Sequence, residues 1–196
     1  MSKFFQLYIT YSKFIFKFWV TQITMSAFGL FVSLATIATN PEENNTYGLV
    51  VASAVFAIGF LSFLLYDMMF MHGLNHSVGV VKRGFVPNKL EGLKIALLAY
   101  APTILIITLA IVFFLLDISA GYAVIKVVLV IIIHGTYNGF WWLLSNHVYD
   151  PLIAILTLVP GITACTLGYY LGLRDMPIRK LLGIPIKPPK APKNKK

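Results

Sequence analysis

The sequence predicts an all-α integral membrane protein, a helical bundle with about five hydrophobic helical segments. Three observations carry that prediction. Hydrophobic residues make up 58% of the 196 and charged residues only 12%. Soluble domains carry about 25% charged residues, so lipid must solvate much of this surface. Uncharged windows of bilayer-spanning length recur along the chain, and backbone at membrane depth must pair within its own segment, which makes those windows helical. Lys and Arg flank the windows instead of interrupting them, as topology signals do.

Residues 1–17 combine Phe4, Phe5, Leu7, Ile9, Phe14 and Phe16 with Lys3, Gln6 and Lys13. This reads as an interfacial amphipathic segment, or as the first turns of a longer, tilted first helix. The first span runs from Phe18 towards Pro41. It is too long for a signal-peptide core and lacks a small-residue cleavage site, so it is expected to be retained. The second window is Asn44 to Tyr66, with a helix from about Tyr47 to Met71. His72 to Glu91 contains Gly73, Gly79, Gly84 and Pro87 and reads as a loop. The third span, Ile95 to Leu116, contains Pro102, which predicts a kink with Thr103 at hand for the freed carbonyls. The fourth window is Val127 to Tyr149. The fifth is Pro151 to Leu173, closing a bundle of residues 18–173. The tail, 174–196, is rich in Pro and Lys and is predicted to be disordered. No internal repeat is present, which argues against an inverted-repeat transporter.

The net charge is +9. Its position beside the apolar windows points to lipid headgroups and excludes nucleic acid as the main partner. Five full spans would put the basic tail on the side opposite the basic amino end and central loop. If one segment enters and leaves on the same side, every Lys and Arg except Lys126 falls on one face. The amino terminus and the tail are then cytoplasmic, in a bacterial cytoplasmic membrane. Arg179, Lys180, Lys187 and Lys190 are the expected contacts to anionic headgroups. The segment most suited to break is the fourth, at His134-Gly-Thr-Tyr-Asn-Gly139, because glycine weakens a helix interior by about 1 kcal/mol relative to alanine.

Small and polar residues fall at helical spacing on two spans. Gln22, Ser26, Gly29, Ser33 and Thr36 mark the first, and Thr157, Gly161, Cys165, Gly168 and Gly172 the last. Such stripes let helices approach closely. They are expected to pack within the bundle, or against a second copy or a larger membrane complex. Cys165 is the only cysteine and cannot form an internal disulfide.

Polar groups at membrane depth are functional candidates. Gln22, Asp67, His134 and Asn138 form that set. His72 and His76 have the spacing of a two-imidazole metal site, but the glycines around them predict a solvated loop pair, with no metal and no cofactor. On a continuous helix His134, Asn138 and Trp141 would share a face. This H-x-x-x-N resembles the last motif of intramembrane proteases related to CAAX prenyl endopeptidases. That resemblance implies that His134 and Asn138 sit around a catalytic water and oxyanion. The family's paired glutamates with a following arginine are not matched, since Glu42-Glu43 lies in a turn and no arginine follows at the needed spacing. Met25-Ser-Ala-Phe-Gly-Leu30, Ala99-Tyr-Ala-Pro-Thr103, Tyr137-Asn-Gly139 and Gly168-Tyr-Tyr-Leu-Gly172 are similar to landmarks of a family of small multi-pass bacterial inner-membrane proteins with no stated activity. The residues favour a non-catalytic component of a membrane assembly. A solute or ion pathway is the first alternative and a protease-like enzyme the second.

Overall fold

The computed structural model describes residues 3–39, 43–84, 88–144 and 151–176. The tail with Arg179, Lys180, Lys187 and Lys190 lies outside the described residues. Among those described there is no strand. Four helices are long and apolar enough to cross a membrane, and a fifth span is counted if a bent pair is taken as one.

Helix α1 (Lys3–Thr10) meets α2 (Ser12–Thr39) at Tyr11. The backbone runs almost unbroken through that turn, with the Tyr11 N–H on the Leu7 carbonyl and the Ile15 N–H on the Tyr11 carbonyl. Lys13, Phe16 and Lys17 are exposed while Ile15 and Phe18 are buried, so helical amphipathicity already operates before the uncharged window opens.

Helix α3 runs from Glu43 to Arg83, 41 residues. The expected loop from His72 onward is therefore helical as far as Arg83, and that expectation is corrected. The reason is packing. A Cβ at Gly73 would run into the Tyr169 carbonyl of a neighbouring helix, so this glycine admits another backbone instead of ending its own helix.

Helix α4 (Glu91–Leu115) contains Pro102. The Trp19 indole N–H donates to the Ala99 carbonyl at 3.0 Å, in the turn that the proline loosens. Thr103, expected to serve there, is buried with its hydroxyl oxygen lacking a hydrogen-bond partner. The carbonyl that Pro102 deprives of its N–H is that of Leu98, and the indole from the adjacent helix meets the next one along, that of Ala99.

The fourth segment is broken. Helix α5 (Ser119–Val128) widens into a π-helical turn at Leu129–Ile133, bends at His134, tightens into a 3-10 turn at Gly135–Tyr137 and resumes as α6 (Asn138–Leu144). The two halves are bent by 84°. His134 thus sits at the bend and Asn138 beyond it, so the two do not share one continuous helix face. After a 3-10 turn at Ile153–Thr157, α7 covers Leu158–Leu173, with Pro160 in its first turn, where proline is tolerated.

Contacts fix the helix directions. Tyr11 meets Glu91 and Trp19 meets Ala99, so α2 and α4 run parallel. Phe14 lies on His72 and Phe28 on Phe56, so α2 and α3 are antiparallel. Gly168 abuts Tyr66 and Gly172 abuts Phe70, so α3 and α7 are parallel. The starts of α2 and α4 and the ends of α3 and α7 therefore gather at one end of the bundle.

Candidate functional site

Two polar centres emerge. The first is the break at His134. Leu129–Ile133 and the bend leave backbone groups without their usual helical partners. Ser26 on α2 meets two of them: its hydroxyl donates to the Ile131 carbonyl at 2.8 Å and accepts from the Gly135 N–H at 2.7 Å. Gly29 lies against the Thr136 backbone and Gly135 against the Ser26 carbonyl, so neither position has room for a Cβ. Ser33 is buried and donates back to the Gly29 carbonyl at 2.8 Å.

His134 is buried. Thr157, in the turn entering α7, gives its single hydroxyl proton to the Ala154 carbonyl at 2.6 Å. Its oxygen then accepts from His134 Nε2–H at 3.0 Å, which sets the tautomer. Asn138 is half-buried at the start of α6, and Trp141 is buried with its ring 6.4 Å from that of His134. Gln22 is 2% exposed, and its carbonyl oxygen has no hydrogen-bond partner. The same holds for the Thr103, Thr136 and Tyr137 oxygens.

Asp67 does not join this centre. It is exposed on α3, about 20 Å along the helix from Ala54, where Gly139 of α6 packs. Gly161 takes the Tyr100 phenol, and Gly168 and Gly172 take the α3 backbone at Tyr66 and Phe70. The stripe on α7 is thus buried within the bundle.

The second centre lies where the four helix ends gather. His72 and His76, four residues apart on α3, both face Glu91 at the start of α4. Glu91 also accepts from the Tyr11 phenol at 3.0 Å and the Tyr169 phenol at 3.2 Å. His76 Nδ1 lies 3.0 Å from the Tyr169 oxygen. Since that phenol's proton serves Glu91, the imidazole N–H donates. Lys94 sits over the Tyr11 ring, 5.7 Å from its centroid. Burial, then the bond to Glu91 and its charge, push the Tyr11 phenol up to about 12, so it stays a donor at neutral pH. Among the described residues, His72, His76 and Glu91 are the group whose donor atoms come close enough to hold a cation.

Sequence reasoning paired the two histidines but missed Glu91 on the next helix, and it missed Tyr11 and Tyr169, whose bonds in this cluster close over 78 to 93 positions. One signal was present. Leu65, Met68, Met69, His72, Gly73 and His76 recur at helical spacing, so the period continued past the first glycine. No protein-family model, curated protein or solved structure matches the chain.

Proposed function

We propose that the chain is a non-catalytic, multi-pass component of a membrane assembly. The observation that carries this reading is the work done by the polar groups at membrane depth. Ser26 closes the broken backbone, Thr157 holds His134, and Trp19 ties α2 to the Ala99 carbonyl of α4. Ser26, His134 and Thr157, which would otherwise be candidates for chemistry there, are occupied in holding the bundle.

The directions of the helices support one orientation. Helix α4 leaves the shared end and α7 returns to it, so the chain between them departs from and comes back to the far end. The fourth segment is then re-entrant, its non-helical backbone covered by α2 and α3 as hydrocarbon requires. Among the described residues, Lys13, Lys17, Lys89, Lys94 and Arg174 lie towards the shared end and Lys126 lies away from it, which supports a cytoplasmic placement of that end. Carboxylate chemistry at His134 would need a partner that Asp67 does not supply.

Crosslinking in the membranes of expressing cells, followed by native mass analysis in mild detergent, tests the assembly. The expected result is a stable complex larger than one 21.9 kDa chain. A monomer throughout overturns the reading.

A specific observation favours a second reading, a solute or ion pathway. Gln22, Thr103, Thr136 and Tyr137 carry buried oxygens without hydrogen-bond partners, and such groups cost roughly 2–7 kcal/mol in an apolar medium unless a polar guest meets them. Proton or monovalent-cation flux into proteoliposomes tests it. Flux that Gln22→Leu suppresses supports the pathway, and flux equal to that of protein-free vesicles removes it.

A further inference from the structure

We propose that His72, His76 and Glu91 form a binding site for a divalent transition-metal cation of the zinc class, at the end of the bundle where α3 and α4 meet. The two imidazoles stack on one face of α3, ring centroids 4.3 Å apart, as i, i+4 side chains do. His72 Nε2 stands 3.5 Å from one Glu91 oxygen and His76 Nδ1 stands 3.6 Å from the other. These separations exceed a normal N–H···O hydrogen bond. A tetrahedral site with bonds of about 2.0–2.1 Å has ligand–ligand edges of about 3.3–3.4 Å, so the two pairs already stand near the spacing of groups that share a cation. All three donor atoms lie within 4.8 Å of one another. His76, whose side chain is 31% exposed, has the freedom to close the remaining gap.

A second observation points to a ligand. The His72 and Glu91 side chains are only 10% and 12% exposed, and His72 Nε2 is buried with no hydrogen-bond partner. A buried polar atom left unpaired costs about 1–3 kcal/mol, and a cation would take up its lone pair. The Phe14 ring, 4.2 Å from that of His72, holds the imidazole in place.

The surroundings match those of a ligating carboxylate, whose oxygens are hydrogen-bonded in turn. Tyr11 donates to one Glu91 oxygen and Tyr169 to the other. Cation binding displaces the Nδ1 proton of His76, while Tyr169 keeps its bond to Glu91. Two imidazoles and one carboxylate favour zinc, cobalt or nickel over magnesium or calcium, which take oxygen ligands. Three protein ligands leave a fourth position for water, on the side where His76 is exposed.

The test uses the full chain in detergent, stripped with a chelator and titrated with zinc chloride, with bound metal measured by mass spectrometry after desalting. The expected result is one zinc per chain. Outer partners alone shift metal affinity by about 10–100-fold. Tyr169→Phe should therefore keep one equivalent at about tenfold weaker affinity, whereas His76→Gln and Glu91→Gln should each weaken binding about 100-fold or more. Melting temperatures of the metal-free variants establish that they fold. If Glu91→Gln melts early, His76→Gln decides, because its side chain is partly exposed. Only trace zinc in the wild-type chain overturns the site, and so does undiminished affinity in His76→Gln.

Discussion

A threonine hydroxyl has one proton and two lone pairs, and at Thr157 that arithmetic links two parts of the chain 23 residues apart. Thr157→Val keeps the shape but removes the acceptor of His134 Nε2–H and the hydroxyl donor to the Ala154 carbonyl. It should cost about 1–3 kcal/mol, seen as a lower melting temperature in detergent, with Thr157→Ser close to wild type. Equal melting of Thr157→Val and wild type would show that the bond contributes nothing. Ser26→Ala removes both an acceptor and a donor at the break and should cost at least as much. The sequence singled out His134 and Ser26 because polar groups in apolar runs are conspicuous. Their partners were not legible. The Ser26 bonds close over more than 100 residues, and no local period records such a meeting.

At the scale of the element, glycine has two meanings that composition alone does not separate. Gly59 faces open space, whereas Gly73 faces the backbone of α7. Gly59→Ala should raise stability by up to about 1 kcal/mol through helix propensity. Gly73→Ala should lower it, because carbonyl oxygens cannot yield as a side-chain tip can. Gly168→Leu and Gly172→Leu should each be costlier, by about 3 kcal/mol or more, as larger groups drive α3 from α7. Thermal aggregation in detergent orders the four variants, and equal behaviour of Gly59→Ala and Gly73→Ala would refute the distinction. Uncharged length made α2, α4 and α7 legible, and paired glycines marked the break. The extent of α3 was hidden because glycine propensity spoke for a loop while packing against α7 decided for a helix.

For the whole molecule, the shared end of the bundle makes a sidedness prediction. A reporter active only in the cytoplasm, fused after Lys196, should be active. Leu90→Cys and Asp117→Cys, at exposed positions near opposite ends of α4, should label with a membrane-impermeant thiol reagent from opposite sides. Cys165 is buried and should stay silent. Labelling of both positions from one side would refute the proposed path of the chain.

The length of α3 relative to α7 carries one more consequence. The apolar stretch of α3, Gly48–Val80, has 33 residues, and that of α7, Ile153–Leu173, has 21. These correspond to roughly 50 Å and 32 Å of helix, against a hydrocarbon core of about 30 Å. Because the two are parallel and in register through their glycines, they cannot both match one bilayer. Beyond Leu74, whose N–H lies beside Gly172, α3 overhangs α7 by nine residues to Arg83, roughly 13 Å. In a thin membrane this overhang, His76 included, stands among headgroups and water. Longer acyl chains would rise over Val78 and Val80 and draw His76 inward. Hydrophobic mismatch thus makes the wetness of His76 a function of lipid chain length, and zinc uptake in nanodiscs of increasing thickness should slow accordingly.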